Sequence, residues 1–196
     1  MRVLVVTAVE AERSAIALPN VVVGGIGPAA SAAATSAALA VGQYDLVVSA
    51  GIAGGFAPLG TGDIAVASTI AFADLGKETP EGFAPLSLAT TRYDVAPALA
   101  VELADRTGGH LGTIVTVATV TGTAATAEAL VERYPDVVAE AMEGAGVAAA
   151  AAQHGVAFAE IRAVSNAVGP RGVWQIPQAL AALGAALQAA ARGWTA

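Results

Sequence analysis

The residues best suited to chemistry in this chain are a few acids and one amide. Glu10 and Glu12 come just after the apolar run Val3-Leu4-Val5-Val6. Glu143 follows Ala139-Glu140-Ala141-Met142 and opens a nearly all-alanine stretch. Arg162 and Asn166 close a run that begins at Phe158. Carboxylates move protons in general acid–base catalysis and, when ionised, only accept hydrogen bonds. An asparagine amide both donates and accepts but cannot act as an acid. Each acid also has a plainer explanation, since a carboxylate in the first turn of a helix is favoured by the helix dipole. Coincidence becomes harder to accept when three separated segments bring polar groups to one edge of a sheet. Histidine adds little. His110 and His154 are the only two, cysteine is absent, and no His-x-x-x-His spacing occurs, so a metal site is not expected. His154 precedes Gly155 and suits a helix end.

Two glycine-rich segments could bring backbone close to a ligand. Gly25-Ile26-Gly27-Pro28-Ala29-Ala30 matches the Gly-x-Gly-x-x-Ala dinucleotide fingerprint in letters. That fingerprint requires an acid at the far end of the next strand to hold the ribose hydroxyls. Asp45 stands at the beginning of that strand instead, on the opposite edge, so a nicotinamide or flavin cofactor is not expected and a close strand-to-helix turn is. Gly51-Ile52-Ala53-Gly54-Gly55-Phe56 follows a buried strand at its carboxyl end, where open α/β sheets bind ligands.

The elements that must position these groups alternate in type. Strands are expected at Arg2–Thr7, Val21–Val23, Asp45–Ser49, Asp63–Ala71, Leu111–Ala118, Val137–Ala141 and Phe158–Val164. Helices are expected at Glu10–Leu18, Pro28–Val41, Val95–Arg106, Ala124–Arg133, Glu143–His154 and Pro177–Arg192. The pattern predicts a single-domain, three-layer α/β/α fold over residues 1–196, with a mixed, mostly parallel central sheet. The segment Phe72–Leu88 breaks the alternation and reads as a long polar loop, either a functional excursion or a solvated one.

Composition narrows the partners. Apolar residues make up 56% of the 196 and charged residues 13%, so most secondary structure must be buried. The apolar runs are short, rich in Ala and Gly, and broken by charges, unlike the ~18 or more apolar residues of a membrane span. A net charge of -7 disfavours nucleic acid, which needs clustered Lys and Arg. Met1-Arg2 leads straight into a strand with no long apolar leader, so a cytoplasmic location is expected.

Taken together, Leu4–Glu12, Gly51–Phe56, Met142-Glu143-Gly144-Ala145 and Arg162-Ala163-Val164-Ser165-Asn166 resemble the nucleoside phosphorylase and hydrolase superfamily. Their order is similar to that of the methylthioadenosine/S-adenosylhomocysteine nucleosidases. Asp74–Phe83 and Ser165–Arg171 resemble the futalosine hydrolases, which release hypoxanthine from futalosine in an alternative menaquinone pathway. The resemblance implies N-glycosidic hydrolysis of a purine nucleoside, with no cofactor or metal and with a homo-oligomeric assembly, a dimer or larger. It implies that Glu12 positions and deprotonates a water, that Glu143 and Met142 meet the ribose, and that Val120 and Thr121 meet the base edge. It places Ile52, Ala53 and Gly54 near the substrate and puts Arg162 and Ser165 behind the site. An aromatic stacking residue of the family is replaced by Val120.

Asn166 stands where the adenosine-type nucleosidases carry Asp. Its amide can donate to a carbonyl or to N7 and accept from a ring N–H, which suits a 6-oxopurine such as hypoxanthine. Phosphorolysis would need a phosphate site, and the first-strand loop offers Glu10 and Glu12, with Arg13 the only base nearby. Lys77, Arg92 and Arg171 are candidates for the carboxylate on the 5′ extension of futalosine. The alternative readings are a methylthioadenosine/S-adenosylhomocysteine nucleosidase and a non-catalytic nucleoside-binding protein.

Overall fold

The computed structural model describes residues 1–170 and 174–194. β1 (Val3–Thr7) leads to α1 (Glu10–Ile16), β2 (Val21–Val23), α2 (Pro28–Val41) and β3 (Leu46–Gly55). Then come β4 (Ile64–Phe72), β5 (Gly76–Thr79), β6 (Gly82–Pro85) and β7 (Arg92–Asp94) without a helix between them. Alternation resumes with α3 (Pro97–Thr107), β8 (His110–Thr116), α4 (Ala124–Arg133) and β9 (Val137–Ala141). α5 (Gly144–Gln153), β10 (Ala157–Ala167) and α6 (Ile176–Ala191) complete it.

Successive side chains of a strand point to opposite faces, and here the two faces meet different helices. Val3, Val5, Leu46 and Val48 pack with Ile16 of α1 and with Leu183 and Leu187 of α6. Leu4, Val6 and Val47 point the other way, to Leu39 of α2 and to Val147 and Ala151 of α5. This is the α/β/α layering that the alternating elements predict. The sheet is mixed and mostly parallel: β1 runs parallel to β2 and β3, β3 to β10, and β8 to β4 and β9. The antiparallel pairs are β10–β4, β3–β9 and β4–β7. Among the described residues, no helix is long and apolar enough to cross a membrane.

Besides the short strand β7, which was not expected, three features differ from the sequence expectation. The third strand does not stop at Ser49 but continues through the glycine-rich run to Gly55. That run stays extended because it has partners on both sides: Gly54 and Gly55 pair with Glu140 and Ala139 of β9, and Gly54 with Asn166 of β10. Likewise, β10 runs on past Val164 to Ala167, with a bulge between Val164 and Asn166. Finally, the expected polar loop Phe72–Leu88 contains a two-stranded hairpin, β5 against β6. Arg133 stacks over its Phe83 ring at 4.3 Å, a cation–π contact that polarity alone does not announce.

The extension of β3 changes the shape of the sheet. β3 pairs with both β10 and β9, β10 with β4, β4 with β8, and β8 with β9. These five strands close into a ring, and β1 and β2 continue from β3 as an open wing. Closure brings β9 to the carboxyl end of β3, where the candidate residues gather.

Candidate active site

The cleft at that end encloses ≈ 230 Å³, slightly under the ~300–1,000 Å³ of typical ligand pockets, so it admits a small molecule. Its wall is built from seven places in the sequence. Ala8, Val9 and Glu12 come from the start of α1, Ile26 from the turn before α2, and Ile52, Ala53 and Gly54 from β3. Val120 and Thr121 follow β8, and Glu140 through Glu143 cover the end of β9 and the start of α5. Ser165, Asn166 and Val168 come from β10 and just beyond it, and Trp174 from the approach to α6.

Glu12 is held rigidly. Its Oε2 accepts from the backbone N–H of Ala8 at 2.8 Å and of Val9 at 3.2 Å, and its Oε1 from Ile52 N–H at 2.9 Å. The side chain is 3% exposed. It crosses the face of β3 where Gly51 has no side chain; a Cβ there would lie 2.5 Å from Glu12 Oε1 and 2.6 Å from Arg162 Nη1. Glu10, the other acid of that helix, is exposed and pairs with Arg13 at 2.8 Å. Arg13 is thereby engaged at the surface. Among the described residues, no Lys or Arg lines the cleft.

Glu143 is the N-cap residue of α5. Its Oε1 accepts from Gly27 N–H at 3.1 Å, and its Oε2 pairs with Arg162 Nη1 at 3.1 Å. Gly25 and Gly27 adopt φ of +88° and +91°, so the Gly25–Ala30 motif makes a tight turn that presents a backbone donor to Glu143. Arg162 lies behind the cleft wall, 1% exposed. Its Nε donates to Glu160 Oε1 at 2.8 Å and its Nη2 to Ser49 Oγ at 2.9 Å. It thus orders Glu143 directly, and none of these bonds goes to Asn166. Burial works against the Arg162 charge, but Glu160, Glu143 and Glu12 more than offset it and hold the guanidinium protonated. Burial pushes Glu160 up to about 7, with Arg162 pulling down and Glu143 adding to the rise.

On the opposite wall, Asn166 Oδ1 lies 2.7 Å from Ser165 Oγ, and its Nδ2 donates to Ala167 O at 2.9 Å. One amide N–H remains to meet a ligand. Ser165 Oγ also lies 3.1 Å from Ala53 O, tying β10 to β3. Thr121 N–H donates to Glu140 Oε1 at 2.9 Å. Glu140 has its pKa raised, first by burial and further by the Asp74 charge, while the Thr121 side chain and backbone oppose the rise.

Of the residues expected from sequence, Glu12, Ile52, Ala53, Gly54, Val120, Thr121, Met142, Glu143 and Asn166 all line this cleft, and Ser165, expected behind the site, lines it too. Lys77 and Arg92 do not; both are exposed, Lys77 on the hairpin and Arg92 on β7, 5.9 Å from the Tyr134 ring. Arg171 lies outside the described residues. Sequence reasoning missed Trp174 and Glu140. The signal for Glu140 was a carboxylate inside the otherwise apolar strand Val137–Ala141. Trp174 carried no such signal, because it is 41% exposed and outside any element.

The phosphorylase superfamily model matches residues 17–192. A futalosine hydrolase of Streptomyces coelicolor is 47% identical, with 93% of this chain and 92% of that protein covered. One of Acidothermus cellulolyticus is 44% identical, over 97% of this chain and 91% of the other. Among solved structures, the S-adenosylhomocysteine nucleosidase of Streptococcus pyogenes superposes with a TM-score of 0.85 at 19% identity, covering 100% of this chain and 98% of the other. The methylthioadenosine/S-adenosylhomocysteine nucleosidase of Colwellia psychrerythraea, solved with adenine, gives 0.83 at 24%, covering 98% and 95%. At those identities the two structures speak for the fold alone. Given the extent of the model match and the identity shared along nearly full lengths, this chain belongs to the phosphorylase superfamily and, within it, to the futalosine hydrolase family.

Proposed function

We propose that the protein is a futalosine hydrolase, which cleaves the N-glycosidic bond of futalosine with water and releases hypoxanthine, a step of menaquinone biosynthesis. The observation that carries this is the 47% and 44% identity to two futalosine hydrolases over nearly the whole chain. The cleft supports it. N-glycoside cleavage passes through an oxocarbenium-like state, so the sugar needs carboxylates and the departing base needs hydrogen bonds. Glu12 takes the proton of a water whose oxygen bonds to the anomeric carbon. Glu143, with Met142 beside it, accepts from the ribose hydroxyls, and Arg162 fixes its orientation. The glycosidic electron pair leaves with the base. Asn166 holds that base by hydrogen bonding at the edge beside Val120 and Thr121, and the base takes its proton from water.

Water rather than phosphate is the nucleophile, because the acids at the head of α1 would repel a phosphate and Arg13 is engaged elsewhere. The chain acts without cofactor or metal, in the cytoplasm, as a homo-oligomer, with neither nucleic acid nor membrane as partner. The test is incubation of the pure protein with futalosine in phosphate-free buffer. Hypoxanthine release at an unchanged rate on adding phosphate is expected; release only with phosphate, or none, overturns the reading. The fold is shared with methylthioadenosine nucleosidases, so methylthioadenosine belongs in the same assay. Faster turnover of it than of futalosine would favour that second activity.

A further inference from the structure

Glu140 is a cleft carboxylate that the hydrolytic chemistry leaves unused. It is 6% exposed and lines the cleft beside Thr121. Its Oε1 accepts from Thr121 N–H. Its Oε2 is buried and meets no hydrogen-bond donor among the described residues. A buried polar atom without a partner is costly and rare in native structures.

The position of Glu140 in the sheet suggests what the missing donor is. Gly54 of β3 pairs with Glu140 of β9 on one side and with Asn166 of β10 on the other. Residues paired across a sheet project to the same face, and adjacent strands lie ~4.8 Å apart, so the Glu140 and Asn166 backbones are about 10 Å apart at most. Between them, Gly54 contributes no side chain. A Cβ at Gly54 would lie 2.8 Å from Val168 Cγ2 and 3.6 Å from Asn166 Nδ2, so Val168 packs directly over this bare backbone, and Glu140 and Asn166 line the same cleft on either side of it. Glu12 and Glu143 are committed to the other side of the cleft by their bonds to Ala8, to Gly27 and to Arg162.

A 6-oxopurine presents a donor at N1 and an acceptor at O6. A 6-aminopurine presents an acceptor at N1 and a donor at the amino group. The Asn166 amide can serve either base by turning over, because it carries an acceptor at one end and donors at the other. An ionised carboxylate can only accept. We infer that Glu140 accepts the N1–H of the 6-oxopurine and thereby sets the preference for hypoxanthine over adenine as leaving base. This rests on the reading of the cleft as a futalosine hydrolase site. Burial alone penalises the Glu140 carboxylate; a second donor on its bare oxygen stabilises the ionised form.

The test is Glu140→Gln, assayed on futalosine and on its analogue with an amino group at C6. Glutamine keeps an oxygen for Thr121 N–H and turns the other atom from acceptor into donor. The ratio of kcat/KM for the two substrates, taken on one preparation, is independent of the folded fraction. The ratio is expected to fall about 10- to 100-fold in the variant, the scale of one hydrogen bond to a charged group. An unchanged ratio, with both substrates slowed equally, would make Glu140 only the anchor of Thr121 and overturn the inference. For a variant without turnover, the thermal shift produced by free hypoxanthine against that by adenine reads the same preference: reversal supports the role and an unchanged order overturns it. Failure of the unmodified protein to hydrolyse futalosine would instead overturn the functional reading itself.

Discussion

Glu12 offers four acceptor positions, and three backbone N–H groups take up three of them. One is left for a water, which makes the carboxylate both a fixed point and a base. Glu12→Gln keeps the size and an acceptor but cannot take a proton. A fall in kcat of at least ~100-fold, the lower end for a lost general base, is expected with a small change in KM, read from steady-state hypoxanthine release. Unchanged turnover would remove Glu12 from the chemistry. A protein that binds nucleosides without reacting would show no turnover in either form. Sequence reasoning separated Glu12 from Glu10 only through resemblance. Their geometry separates them plainly: Glu10 faces solvent and pairs with Arg13, whereas Glu12 turns under β3.

At the scale of elements, β10 carries a buried charge row beneath the cleft. Arg162 serves Glu143 in front and Glu160 behind, and Glu12 lies close enough to add to the field. One cation among three carboxylates leaves excess negative charge, and Glu160, fully buried with a bare Oε2, holds its proton to about 7. The folded-state value lies above the ordinary 4.5, so the folded chain binds the extra proton between those limits. That stability is complete below 4.5 and is lost as pH rises through about 7. Glu160→Gln mimics the protonated form. Its Tm is expected to fall less between pH 5 and pH 8 than that of the unmodified protein; an equal fall in calorimetry would place the linked proton elsewhere. The sequence showed Arg162 at a strand end, but not that Glu160, two residues earlier on the same face, shares it.

At the scale of the molecule, the ring formed by β3, β10, β4, β8 and β9 places side chains from distant parts of the sequence around one small space. Val9 and Trp174 line the cleft and are 37% and 41% exposed. Ile26 is 63% exposed and also lines the cleft. An apolar rim of this kind suits the proposed homo-oligomer. Light scattering on the eluting protein is expected to give at least twice the monomer mass; a monomer at assay concentration that retains full activity would remove assembly from the account.

The alternation of strand and helix, the layered mixed sheet and most of the cleft-lining residues were legible in the sequence. These rest on local periodicity and on motifs that short segments carry whole, such as Met142-Glu143 and Ser165-Asn166. Closure of the ring was not legible, because it depends on β3 staying extended through Gly51–Gly55, and glycine expresses no preference for a strand until partners on both sides supply the hydrogen bonds. The hairpin at Gly76–Pro85 escaped for a related reason: its packing comes from Arg133, far along the chain. The placement of Glu140 and Asn166 on either side of Gly54 escaped as well. Twenty-six residues separate the two in sequence, and only the register of three strands makes them neighbours.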